Sequence, residues 1–186
     1  LTTGTGTWVG LFAVPADLVA RAPESVSLTE AATLPLAGLT AVQALDRLGL
    51  VRGETLLVLG AAGAVGGLAV QLAVDAGMAV DVASPLGGTI PVDPLSLKPA
   101  IRTGADDRLL ADAELRGWLT NSLAIGDLDM ADYDIVYLAG GWGAAFDLGT
   151  SDDVGRQITA ANARGTAIGG VCHGPLGLCG ATDADG

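Results

Sequence analysis

Basic residues are scarce in this chain, and that scarcity is the first constraint on function. Lys and Arg together number 9 against 21 Asp and Glu, a formal net charge of −12 over 186 residues. Nucleic acids and anionic membrane surfaces are bound through basic patches, so neither partner is expected. Cysteine is nearly absent too, with two in the chain. No segment reads as a secretory signal, so both thiols are expected free in a reducing, cytoplasmic setting. Histidine occurs once, at His173, and no metal site is expected. A chain that begins with Leu1 rather than Met is expected to be a processed product or a fragment.

A long uncharged run has to be tested before a water-soluble fold is argued. Residues 55–74 carry no charge and include Gly63 and Gly67 at a four-residue spacing, features of a membrane span. The glycines break the run where a soluble strand–loop–helix needs them, so a span is rejected. Apolar residues make up 50% of the chain, chiefly Ala, Val and Leu, with 28 Gly. That mixture suits one tightly wound α/β domain with strands buried on both faces.

The most informative stretch is Gly170, Val171, Cys172, His173, Gly174. Residues 165–171 read as a short buried strand and residues 175–179 as the start of a helix. Strand, Gly-x-nucleophile-x-Gly, helix is the sequence form of a nucleophile elbow, in which small neighbours permit a sharp turn. Such a turn presents its central side chain above the sheet at the positive end of a helix, where the reactive thiolate is favoured. His173 stands beside Cys172 and activates it if the ring turns back onto the sulfur. The competing reading makes Cys172 a small buried residue that ends a core strand.

In chain order, residues 7–14 read as a strand followed by a turn. A helix starts near Thr29 with Ser27 or Thr29 as cap, is interrupted by Pro35, and continues to Leu48. Residues 54–59 form a buried strand, Gly60 to Gly66 a glycine turn, residues 67–76 a helix and residues 78–83 the next strand. In this βαβ unit the turn lies where a pyrophosphate binds a helix N-terminus. Its spacing is G-x-x-G-x-x-G. Asp81, the candidate ribose acid, falls within the second strand. Residues 84–99 read as a long excursion, and residues 106–121 as a helix with Leu109, Leu110, Leu115 and Leu119 as its apolar stripe. Residues 135–139 are a buried strand ending in Gly140, Gly141, Trp142 and Gly143. Ser151 caps a helix that Gly165 ends. The ends of three strands, at Gly60, Gly140 and Cys172, are expected to converge on one pocket.

Residues 1–76 resemble the quinone oxidoreductase branch of the medium-chain dehydrogenase/reductases. The resemblance lies in residues 14–17 (Val-Pro-Ala-Asp), 30–41 (Glu-Ala-Ala-Thr-Leu-Pro-Leu-Ala-Gly-Leu-Thr-Ala), 53–58 (Gly-Glu-Thr-Leu-Leu-Val), 60–66 (Gly-Ala-Ala-Gly-Ala-Val-Gly) and 69–73 (Ala-Val-Gln-Leu-Ala). It implies an NADPH site at Gly60, Ala61, Gly63, Val65 and Gly66. Residues 77–186 resemble a different family, ThiJ/PfpI within the class I glutamine amidotransferase-like superfamily, in its glyoxalase III and chaperone-like branch. Here the matching text is residues 81–88 (Asp-Val-Ala-Ser-Pro-Leu-Gly-Gly), 91–96 (Pro-Val-Asp-Pro-Leu-Ser), 132–143 (Asp-Tyr-Asp-Ile-Val-Tyr-Leu-Ala-Gly-Gly-Trp-Gly), 146–148 (Phe-Asp-Leu) and 170–175 (Gly-Val-Cys-His-Gly-Pro). The chain therefore reads as a chimera.

The second resemblance implies an α/β three-layer sandwich with a mostly parallel Rossmann/flavodoxin-like sheet, truncated at the C-terminus relative to the family. Residues 1–52 would be a reductase-like strand and helix segment. Residues 53–186 would be the ThiJ/PfpI-like domain, with a reductase-like first βα unit. Cys172 would be the nucleophile and His173 its general base or acid. Backbone N–H groups of Gly141 and His173 would form an oxyanion hole. Trp142, where this branch often has His, would line the pocket. The family's glutamate at the start of the first helix falls at Ala64 and Val65. The implied activity is that of a cofactor-independent glyoxalase III-type lyase, or a related hydrolase, acting on small aldehydes, with homodimers as the family pattern. The alternatives are an NADPH-dependent quinone oxidoreductase-like protein and a non-catalytic truncated fusion.

Overall fold

The structure is a computed structural model that describes residues 14–91, 94, 98 and 111–183, the side chains at 114 and 115 excepted. The chain divides into two compact units, Leu1–Thr33 and Leu34–Gly186. In the first, a 3-10 turn spans Ala16–Leu18 and helix α1 spans Leu28–Ala31. Ser27 is the cap of α1. Its Oγ accepts from the Glu30 N–H at 3.2 Å while the Glu30 carboxylate accepts from the Ser27 N–H at 3.0 Å, a reciprocal capping box. The strand expected at residues 7–14 lies outside the described residues up to residue 13, and Val14 itself is irregular.

The second unit opens with α2 (Leu34–Leu48), β1 (Thr55–Leu59), α3 (Ala64–Asp75) and β2 (Ala79–Ser84). It continues with α4 (Ala113–Thr120), β3 (Leu123–Ala124), β4 (Ile135–Leu138), α5 (Ala144–Asp147), α6 (Asp152–Arg164) and β5 (Ala167–Gly170). A 3-10 helix, Gly174–Gly180, follows β5. The helix break expected at Pro35 falls instead at Ala32 and Thr33. Pro35 sits in the first turn of α2, where a missing N–H costs nothing.

All five strands are parallel and run in the order β3-β2-β1-β4-β5. The central strand β1 explains why residues 56–59 are continuously apolar. Leu56 and Val58 face one helical layer, packing with Ala41 and Leu45 of α2 and Ala69, Val70 and Ala73 of α3. Leu57 and Leu59 face the other, packing with Val154, Ile158 and Ala161 of α6. All four are fully buried, each contributing about 1.5–3 kcal/mol of apolar burial. The result is the expected α/β three-layer sandwich with a Rossmann/flavodoxin-like parallel sheet. The chain moves outward from β1 to β2 and β3, then returns across β1 to β4 and β5. The switch in direction lies between β1 and β4, and in such sheets the crevice at the strand C-terminal ends opens there.

Two expectations are corrected. The strand leading to Cys172 is not buried: Ala167, Ile168 and Gly169 are half-buried and Gly170 is exposed. Among the described residues it lies at the end of the strand order, with β4 beside it on one side. The segment after Cys172 is a seven-residue 3-10 helix rather than an α-helix. Three of its residues are glycines and Pro175 stands at its start, a composition with little α-helical preference. Of the apolar stripe expected along residues 106–121, Leu119 is buried. Leu109 and Leu110, and the side chain of Leu115, lie outside what is described. Among the described residues no helix is long and apolar enough to cross a membrane.

Candidate active site

Cys172 is the one non-glycine residue with positive φ among the described residues, at φ 57°. This left-handed conformation costs an L-residue roughly 1–2 kcal/mol, so the surrounding structure must hold it. Val171 N–H donates to the Leu138 carbonyl at 3.2 Å, and Gly174 N–H donates to the Val171 carbonyl at 2.8 Å. Gly174 lies so close to the Leu138 carbonyl oxygen that a Cβ there would overlap it. Gly140, just past β4, is pressed against the same turn. A Cβ on Gly140 would lie 2.6 Å from Cys172 Cβ and 2.8 Å from the His173 nitrogen. The end of β4 therefore clamps the turn at Cys172.

The clamp presents the thiol to solvent. Cys172 is exposed, which overturns the reading of a small core residue. Its Sγ lies 3.4 Å from Nδ1 of the half-buried His173. Trp142 meets the imidazole edge to face, with ring centroids 5.6 Å apart and planes at 84°. Phe146 meets Trp142 in the same manner at 6.0 Å and 78°. Gly141, with φ 113°, supplies the bend that turns Trp142 out of β4. Cys172, His173 and Trp142 thus come together with the Gly140–Gly141 backbone beside them. Phe146 belongs to the family-like text at residues 146–148 but carries no site role in the sequence reading; its i, i+4 spacing from Trp142 was the available signal. Cys179 is also exposed.

The glycine turn of residues 60–66 meets the same strand ends. Gly60 has φ 87° and packs on the Ala139 backbone, 3.3 Å from its carbonyl carbon to a Cβ built there. Gly66 is buried against the Gly60 carbonyl, which brings α3 onto β1. Ala61 is buried, Val65 half-buried and Gly63 exposed at the N-cap of α3. Gly63 N–H is taken by the Gly60 carbonyl at 3.1 Å. The first turn of α3, at Ala64 and Val65, has no carboxylate. Asp81 lies in the middle of β2, opposite Leu57, and accepts a hydrogen bond from the Tyr133 hydroxyl at 2.8 Å. Burial first, and this bond second, push the Tyr133 phenol above its ordinary range. The residues present thus offer a nucleotide a phosphate turn, but the candidate ribose acid is already engaged within the sheet.

No family model matches the chain. Over 61 residues it is 51% identical to the 2-methylene-furan-3-one reductase of Solanum lycopersicum, a match covering 33% of this chain and 16% of the reductase. Over 90 residues it is 32% identical to Glyoxalase 3 of Candida albicans, covering 47% of this chain and 38% of that protein. The crystal structure of glyoxalase III from Candida albicans aligns with a TM-score of 0.57 at 23% identity, over 71% of this chain and 62% of that one. This structural likeness establishes the fold. The chain therefore carries similarity to two protein groups, as its two-part resemblance implied, and its matches span well under half the length of both curated relatives.

Proposed function

We propose that this protein is a cysteine-dependent, cofactor-independent lyase of the glyoxalase III type that converts small 2-oxoaldehydes into 2-hydroxy acids. The observation that carries the reading is the strained, exposed Cys172 with His173 Nδ1 at 3.4 Å from its sulfur. Strain of this kind is retained where surrounding structure enforces it, and it clusters at functional sites. Similarity to Glyoxalase 3 over 90 residues supports the same chemistry.

In this mechanism the turn at Cys172 acts as a nucleophile elbow, and His173 takes the thiol proton as the sulfur adds to the aldehyde carbon. A C–S bond forms, and the carbonyl π pair moves to oxygen, where the N–H groups of Gly141 and His173 stabilise it. The imidazolium returns its proton to that oxygen, giving a hemithioacetal. Neutral His173 then removes the hydrogen on the former aldehyde carbon as a proton, the electron pair shifting to the ketone oxygen to give an enediolate, and delivers it to the neighbouring carbon while the hydroxyl proton of the first carbon passes to the former ketone oxygen. The first carbon is oxidised to a thioester and the second reduced to an alcohol, so no external oxidant enters. Water cleaves the thioester, releasing the 2-hydroxy acid and restoring the thiol. One histidine carries each proton in turn, since Ala64 and Val65 provide no second base.

The test is consumption of methylglyoxal with formation of lactate, without glutathione or any added cofactor. The wild type is expected to turn over and Cys172→Ser to fall to the buffer rate. Turnover that survives in Cys172→Ser, or a wild type no faster than buffer, overturns the proposal. The alternative, NADPH-dependent quinone reduction, rests on the glycine turn at Gly60–Gly66 and the short match to the tomato reductase. With Asp81 bonded to Tyr133, it has less support than cysteine chemistry.

A further inference from the structure

His173 has a task that its own bonding does not secure. Its Nδ1 lies 3.4 Å from the Cys172 sulfur, and among the described residues this is the ring's one hydrogen-bond contact. A histidine turns between staggered positions about its Cα–Cβ bond and moves in a broad well about the next bond. The ring is half-buried, so part of that motion leads toward solvent. A base beside a nucleophile is in turn oriented by a third group, commonly a carboxylate. Here the group against the imidazole is a second ring, that of Trp142.

The contact has the geometry that holds a ring in place. The centroids are 5.6 Å apart and the planes stand at 84°, inside the range favoured for edge-to-face pairs. Turning the imidazole about either bond gives that arrangement up. The two backbones are also fixed to one another. Gly140 packs so tightly on the turn that a Cβ there would lie 2.8 Å from the His173 nitrogen, and Gly141, at φ 113°, directs the chain from that contact to Trp142. Phe146 of α5 meets Trp142 edge to face in turn. Trp142 is nonetheless 62% exposed, so burial in the core does not account for a ring held this way.

Resting on the cysteine-lyase reading, we infer that Trp142 is the positioning residue of this centre: its ring keeps the His173 imidazole on the Cys172 sulfur, in the role a carboxylate has in a triad. An aromatic pair of this kind is worth about a 2- to 10-fold shift in the population of the positioned ring.

The experiment is a double-mutant cycle read at the sulfur. The protein is alkylated with iodoacetamide, Cys172 and Cys179 are followed by mass spectrometry, and the Cys172 rate is divided by that of exposed Cys179. Trp142→Ala is expected to lower this ratio about 2- to 10-fold. In a His173→Ala background the same substitution is expected to leave the ratio unchanged, because the tryptophan acts through the imidazole. Trp142→Phe, which keeps a ring, is expected to recover most of the loss. A ratio unchanged by Trp142→Ala, a loss of equal size with and without His173, or a Trp142→Phe protein as slow as Trp142→Ala overturns the inference. In methylglyoxal turnover, Trp142→Ala should lower kcat with KM unchanged; a raised KM at constant kcat would make Trp142 a substrate contact instead and overturn the positioning role. Coupling through His173 in a protein that consumes no aldehyde would refute the lyase and leave the positioning role standing. Turnover without the coupling would do the reverse.

Discussion

Replacing Gly140 with Ala adds one methyl group at the point where the end of β4 meets the turn at Cys172. The new Cβ would overlap the Val171 carbonyl oxygen and lie 2.6 Å from Cys172 Cβ and 2.8 Å from the His173 nitrogen. None of these atoms is the free end of a flexible side chain, so the strand end or the turn itself has to move. Gly140 does not have positive φ, so the cost is steric rather than conformational. Overpacking of this kind costs about 1–3 kcal/mol. At about 2–4 °C per kcal/mol for a chain of this size, the melting temperature should fall by roughly 2–12 °C. The displacement also separates Cys172 from His173, so the alkylation rate of Cys172 relative to Cys179 should change. Gly143→Ala, three residues on, is the control. Gly143 already has helical angles, φ −56° and ψ −43°, and nothing lies within 4 Å of its Cβ position. It should stay within about 0.5 kcal/mol of the wild type or gain slightly. Circular-dichroism melts of the two variants decide the matter. If Gly140→Ala melts with or above Gly143→Ala, the clamp on Cys172 is not what the contacts imply.

Two further predictions concern the sheet. The Tyr137 hydroxyl is buried without a hydrogen-bond partner among the described residues, and burial raises its phenol above the ordinary range; Tyr137→Phe should stabilise the fold by about 1–3 kcal/mol in chemical denaturation, and a loss would show that the hydroxyl has a partner. Asp134 accepts from the Thr55 N–H and hydroxyl, both at 2.8 Å, and the backbone bond first, then the hydroxyl, hold its carboxyl below the usual carboxylate range. Its stabilisation is therefore present above the unfolded-state value and lost as pH falls through the lower folded value. Asp134→Asn should lower the melting temperature at neutral pH and converge with the wild type in strong acid; equal melting temperatures at neutral pH would show that the pair contributes nothing.

Much of the layered architecture was legible because its causes are local. The continuous apolar run at residues 56–59 already required a strand buried on both faces. Ser151 and Gly165 marked α6, and the structure has Ser151 Oγ accepting from Val154 N–H and Gly165 in a left-handed cap at φ 84°. Gly-x-Cys-His-Gly likewise announced a sharp turn, since small residues beside a central side chain are what a left-handed residue there needs. The helix break was misplaced at Pro35 because proline is as well accommodated in a helix's first turn as outside it. The sequence predicts a buried strand before Cys172 because Ile168 and Val171 carry no mark of lying at an edge.

By itself, then, the sequence determined β1, β2, β4 and β5, helices α2, α3 and α6, the sharp turn and the adjacency of Cys172 to His173. These depend on backbone sterics and capping within a few residues. Only the tertiary structure decided that Cys172 is exposed, that Gly140 clamps it, and that Trp142 lies against His173. Those relations join residues some thirty positions apart. They exist because β4 and β5 are neighbours in a parallel sheet, whose strand order is set by how all the buried faces pack together.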